Sequence, residues 1–158
     1  MYELATDEPG NRQKWENVHV EISIDATPRQ IYGSWLNGRV HSQMLGMPVD
    51  ITDEVGTRFE IQNPSPNKLN PTGATHSGII VDLTEGSRII QAWRHSAWEE
   101  GVYSILTIRF VAEGGGTRLI LDQKGVPPGW GSRLEGGWGG FILPKVQVYF
   151  AHPHSLTS

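Results

Sequence analysis

Arg88-Ile89-Ile90-Gln91-Ala92-Trp93-Arg94, Ser104-Ile105-Leu106-Thr107-Ile108-Arg109-Phe110 and Gly116-Thr117-Arg118-Leu119-Ile120-Leu121 are three runs of one alternating pattern. They are separated by Trp98-Glu99-Glu100-Gly101 and by a turn at Glu113 to Gly116. Side chains two residues apart lie on the same side of a strand. Ile89, Gln91, Trp93 and His95 therefore share one face, with Ile90, Ala92 and Arg94 opposite. Leu106, Ile108 and Phe110 oppose Ile105, Thr107 and Arg109. Leu119 and Leu121 point inward, with Arg118, Ile120 and Asp122 outward. Three successive strands with short connections predict an antiparallel sheet with one buried face.

Downstream, Gly125-Val126-Pro127-Pro128 ends the strand pattern. Leu134, Trp138, Phe141, Ile142, Val148 and Tyr149 then recur at helical spacing, which predicts one long C-terminal helix. Its interior holds Gly136, Gly137, Gly139, Gly140 and Pro144. An interior Gly costs about 1 kcal/mol relative to Ala and an interior Pro about 3 kcal/mol. Packing must therefore hold this helix, and a kink is expected near Pro144.

Upstream, Ser77, Ile79, Val81 and Leu83 are expected on one strand face, and Thr57, Phe59 and Ile61 on another. Val49 to Thr52 reads as a weak strand. Asn63 to Gly73, rich in Pro and Asn, reads as an excursion off the sheet, since a strand pattern resumes directly after it. Thr27-Pro28 is a helix start, and Ile31, Tyr32, Trp35 and Leu36 follow at helical spacing to a stop near Asn37-Gly38. A second short helix is expected from His41 to Leu45, ended by Pro48. Val18, Val20, Ile22 and Ile24 form the buried face of the first strand. Residues 1–14 are expected to be a flexible lead-in, 15–151 a single domain and 152–158 a tail. This order is α+β: a curved antiparallel sheet of about six to seven strands, two short helices after the first strand, and one long helix able to cover the buried face. A sheet curved around a helix encloses a space, and that space is the expected site.

The 158 residues suit one domain with its own core. No cysteine is present, which excludes disulfides, thiolate metal sites and cysteine nucleophiles and fits a reducing cytoplasm. The net charge is −4 and the basic residues are scattered, so no nucleic-acid footprint is visible. No apolar run reaches membrane-spanning length, and Met1 to Lys14 has no apolar signal core.

The block Trp93-Arg94, Trp98, Glu100-Gly101, Ser104, Leu106-Thr107, Phe110, Gly116-Thr117, Leu119, Gly125-Val126-Pro127, Arg133 and Gly137-Trp138 resembles the family named after the activator of the heat-shock protein 90 ATPase. That family belongs to the START-like (SRPBCC) helix-grip superfamily, and the resemblance runs from about Val18 to Phe150. It implies the helix-grip fold. It implies less about function, because the superfamily spans lipid and hormone carriers, aromatic cyclases and co-chaperone domains. Two departures from the pattern are the longer excursion at Asn63 to Gly73 and the glycines around Trp138. Both imply an altered cavity mouth.

Within that fold, Trp93 and Trp138 are expected to face one another, one from the sheet and one from the helix. The expected ligand-binding set is Phe59, Ile61, Ile79, Gln91, Trp93, His95, Leu106, Trp138, Phe141 and Ile142. Gln91 and His95 are polar groups on an apolar face and need partners, from a ligand or from the protein. His41, His76 and His95 share no metal-ligand spacing, His152 and His154 fall in the tail, and no GxSxG elbow is present. No catalytic residue, metal or cofactor is therefore assigned. The expected function is binding of a small hydrophobic or aromatic molecule. The alternatives are a polyketide cyclase-type enzyme, with His95, Gln91 and Tyr103 as first suspects, and a co-chaperone acting on a heat-shock protein 90 ATPase.

Overall fold

Alternation in sequence becomes pairing in space. The computed structural model describes residues 14–64 and 73–151. The lead-in up to residue 13, most of the Pro- and Asn-rich excursion and the tail from residue 152 lie outside the described residues. Seven strands, β1 (Glu16–Ile24), β2 (Val49–Asp50), β3 (Arg58–Asn63), β4 (Ala74–Thr84), β5 (Arg88–His95), β6 (Ser104–Glu113) and β7 (Gly116–Val126), form one antiparallel sheet among the described residues. The order is β1-β7-β6-β5-β4-β3-β2: a meander from β2 to β7, with β1 added outside β7. The weak strand expected at Val49 to Thr52 survives only as Val49–Asp50, paired with Ile61 and Glu60. Gly114 and Gly115, at φ 59° and 84°, make the two-residue turn from β6 to β7. That turn needs positive φ at both positions, so its glycines serve geometry.

The inward residues of β5, β6 and β7 are those the alternation selects. Ile89, Ile108, Leu119 and Leu121 are completely buried. At about 2 kcal/mol for each fully buried aliphatic side chain, such rows are what hold the sheet against its helices.

Strand β4 departs from expectation. Ser77, Ile79, Val81 and Leu83 do not share a face: Gly78 and Ile80 are buried, while Val81 is exposed. The pairing with β5 shifts register between Ile80 and Asp82, so Val81 is an extra residue, and Leu83 turns inward opposite Ile89. One inserted residue reverses the parity of everything before it. Gly78 lies opposite Trp93, where an added Cβ would collide with the Ala92 carbonyl oxygen and touch the Phe59 ring at 3.0 Å.

Helix α1 (Pro28–Trp35) starts as expected. Thr27 accepts from the Gln30 N–H at 3.2 Å, and Gln30 Oε1 accepts from the Thr27 N–H at 2.8 Å. Helix α2 (Gly38–Leu45) begins earlier than His41, because Asn37 starts it: its Oδ1 accepts from the Val40 N–H at 3.1 Å. Asn before Gly can end one helix or cap the next, and here it caps. Left-handed Gly46 closes α2.

The C-terminal helix runs over α3 (Gly131–Gly137), a π turn (Trp138–Ile142) and α4 (Leu143–Ala151). Its irregularity precedes Pro144. The Leu143 N–H donates to the Trp138 carbonyl, five residues back, and Pro144, which has no N–H, follows inside α4. No helix among the described residues is long and apolar enough to cross a membrane.

Candidate functional site

One end of the sheet, with Asn63 closing β3, His76 on β4 and Trp93 and His95 on β5, faces the loop after β7 and the C-terminal helix. Between them lies a cavity of about 200 Å³. Trp130, Arg133, Leu134, Gly137, Trp138, Phe141 and Ile142 complete its wall.

Several local arrangements build this wall. His76 and His95 are paired residues of β4 and β5, with ring centroids 5.3 Å apart. Trp93 lies tilted against His76 at 4.8 Å and meets Trp138 at 5.9 Å, so the two tryptophans do face one another across the grip. Trp98 meets both Trp93 (5.6 Å) and Trp130 (5.8 Å), and Trp130 lies 4.6 Å from the His95 ring. Arg94, on the outer face, donates to the Trp98 carbonyl at 2.7 Å and so fixes the loop that carries Trp98.

Trp138 is held by a buried polar chain. Its Nε1–H donates to Gln123 Oε1 at 2.8 Å, and Gln123 Nε2 donates to Ser104 Oγ at 2.9 Å. Ser104 Oγ donates to the Trp93 carbonyl at 2.9 Å. Gln123 and Ser104 are fully buried. Each step pairs a donor with an acceptor, which is what lets these groups sit in an apolar core.

Trp130 is positioned from the opposite end of the chain. The Glu16 carboxylate accepts from the Gly131 N–H at 2.7 Å and from the Gly129 N–H at 3.1 Å. These two backbone donors hold the Glu16 carboxyl below the usual carboxylate range. A Cβ at Gly131 would stand 2.6 Å from Glu16 Oε1, so a larger residue there would push the carboxylate out of this position.

The histidines of the site are neutral. The Ala97 N–H donates to His95 Nδ1 at 2.9 Å, so Nδ1 is the bare nitrogen and Nε2 carries the proton. Burial, then the charges of Arg133 and Arg94, push the His95 pKa down to about 4. Burial, then His95, lowers His76 to about 4. The Arg133 guanidinium lies 3.6 Å above the Trp130 ring, and among the described residues it makes no ion pair.

Of the residues expected at the site, Trp93, His95, Trp138, Phe141 and Ile142 line the cavity. Phe59, Ile61 and Leu106 are buried in the core and do not line it. Gln91 is buried there too, and its Oε1 has no partner among the described residues. Ile79 corrects the expectation outright: the β4 bulge leaves it on the outer face, opposite Ala92. The same reversed parity hid His76, and Trp130, Arg133, Leu134 and Gly137 were missed with it. Two signals were present in the sequence. Gly78 opposite a tryptophan marks the tight inward face, and Leu119 and Leu121 extended by one step reach Gln123. His41 is elsewhere, tilted against Trp35 at 4.7 Å, its Nδ1–H donating to the Trp35 carbonyl at 2.7 Å.

The chain is 32% identical to an "Activator of 90 kDa heat shock protein ATPase homolog" from Dictyostelium discoideum over 60% of its own length and 25% of that protein. It thus spans about a quarter of the length of this curated relative. Among solved structures it resembles an Hsp90 activator from Plasmodium falciparum, with a TM-score of 0.72, 18% identity and coverage of 87% of this chain and 97% of the other. It also resembles a protein in the dynemicin biosynthetic locus, with a TM-score of 0.71, 13% identity and coverage of 85% and 47%. Both structural likenesses carry the helix-grip fold. The family described as "Activator of Hsp90 ATPase homolog 1-like protein" matches residues 25–150, and the chain belongs to that family.

Proposed function

We propose that the protein binds a small aromatic or otherwise apolar molecule in the cavity between the sheet end and the C-terminal helix. The observation that carries this reading is the wall itself: Trp93, Trp130, Trp138 and Phe141 around a space of about 200 Å³, with polar groups confined to a few positions. Ligand sites are concave and mostly apolar, with a few placed polar groups. This one is small, with room for a ligand of about one or two rings, since a dry cavity of about 150 Å³ accepts benzene. Titration of the labelled full chain with naphthalene-type compounds tests it. The indole N–H signals of Trp93, Trp130 and Trp138 are expected to shift together, and shifts that never cluster there would overturn the reading.

A co-chaperone role is the second reading, supported by the names of the relatives. Its test is the ATPase rate of a purified Hsp90 with and without the chain. An unchanged rate removes it and leaves the cavity reading untouched.

A further inference from the structure

The cavity has a consistent electrical sign. Asn63, His76, His95 and Arg133 are the polar side chains of its described wall, and no carboxylate is among them. Arg133 stands at the rim with its guanidinium carbon over the Trp130 ring, 3.6 Å from the centroid, and no acidic side chain among the described residues pairs with it. Four other arginines are paired with carboxylates, Arg29 with Glu85, Arg88 with Asp82, Arg109 with Asp122, and Arg118 with Glu21 and Glu113, while Arg39 and Arg58, like Arg133, make no ion pair among the described residues. A guanidinium held in place by stacking, with its N–H edge uncommitted, is pre-organised for a planar anion. Below it, His95 must present Nε2–H, because its Nδ1 is occupied by the Ala97 N–H. That adds a neutral donor on the same side of the cavity.

We propose that the ligand is a planar aromatic carboxylate, its ring packed against the touching Trp93–Trp138 pair and its carboxylate toward Arg133 and the His76–His95 pair. This rests on the ligand-binding reading above and narrows it to one chemical class. Neutral aromatics would fill the same volume and leave Arg133 unpaired. Organic cations would meet Arg133 without a counter-charge. The groups acting on His95 are Arg133, Arg94 and neighbouring His76, and the group acting on His76 is His95, so nothing acidic offsets an added proton in the empty site. A bound carboxylate supplies that missing charge. Proton uptake on binding then falls to His76, because His95 Nδ1 already accepts the Ala97 N–H, and affinity rises as pH falls from 7.5 toward 5.5, where the ligand itself stays ionised.

The probes are 2-naphthoate and its neutral counterpart naphthalene-2-methanol, titrated calorimetrically into the full chain. The carboxylate is expected to bind about tenfold more tightly than the alcohol, the scale of one charge-assisted contact. Arg133→Gln is expected to remove that preference, so that the two probes bind the variant with equal affinity. Titrations in buffers of different ionisation enthalpy are expected to show net proton uptake for naphthoate only. Equal affinity of the two probes for the unsubstituted chain, or a preference that survives Arg133→Gln, overturns the carboxylate assignment while cavity binding stands. If neither probe shifts the indole signals of Trp93 and Trp138, the ligand-binding reading falls as well.

Discussion

Gln123 carries two strengths of argument at once. It lies opposite Leu106 on one neighbouring strand and Val18 on the other, among side chains buried to 4% exposure or less. An amide there is tolerated because both its ends are used, by Trp138 and by Ser104. Gln123→Leu keeps the volume and removes both bonds, stranding the Trp138 N–H. The expected cost is about 2 kcal/mol in a denaturant unfolding curve, with an upfield shift of the Trp138 indole proton. A cost under about 0.5 kcal/mol would show that the chain of bonds contributes little. The inward facing of Gln123 was legible, since it continues the alternation of Leu119 and Leu121. Its partners were not, because they depend on how far along the sheet the C-terminal helix docks, and no periodicity encodes that. Gln91 shows the same limit: its facing was read correctly, but it sits in the core away from the cavity.

The C-terminal helix gives up intrinsic stability at the positions that border the cavity. Gly137 lines the space at helical angles (φ −66°, ψ −46°), and a Cβ there would touch nothing within 4 Å. Nothing local requires glycine, so Gly137→Ala should stabilise by about 1 kcal/mol, raising Tm by roughly 3 °C for a chain of this size. Gly137→Leu should keep most of that gain, fill the cavity and abolish the naphthoate-dependent indole shifts. A Leu variant that still binds would place the ligand elsewhere. The helix was legible from its spacing, and its weak composition from its glycines. The expected irregularity lay near Pro144, and the widened turn, Trp138–Ile142, ends two residues before that proline. In β4, one bulged residue defeated the alternation, and with it went His76 and the true position of Ile79. A bulge leaves no mark in a hydrophobicity pattern when both faces carry Ile and Val.

At the scale of the whole molecule, buried histidines set the response to acid. His41 is fully buried, with Nδ1–H on the Trp35 carbonyl and Nε2 without a partner among the described residues, and its pKa falls to about 4, mainly through burial. His76 and His95 behave alike. For each, the unfolded chain takes a proton near pH 6.5 and the native chain does not until about pH 4. Stability therefore falls as pH drops through that window, by up to about 1.4 kcal/mol per unit for each histidine. His19 opposes them: hydrogen bonds to Asp122 and then Glu21 raise its pKa, so its contribution is complete below about pH 6.5 and fades as pH rises through its folded value. Its side chain is 55% exposed, so solvent weakens that contribution. Unfolding free energy measured between pH 6.5 and 5 is expected to decline, and His41→Gln to reduce the slope by one proton. An unchanged slope would mean that His41 is not the titrating group. The fold class was readable because most of the strands and the terminal helix leave a periodic trace. The cavity's rim was not, because it joins segments from opposite ends of the chain.

That junction is the Glu16 carboxylate, reaching Gly129 and Gly131 across 113 and 115 positions of sequence. It reinforces a closure most of the chain long that the β1–β7 ladder already makes, the kind that secreted domains entrust to a disulfide, in a chain that has no cysteine. A covalent staple is fixed until it is reduced. A carboxylate clasped by two amides is a reversible tie, made and unmade without any bond in the chain being broken.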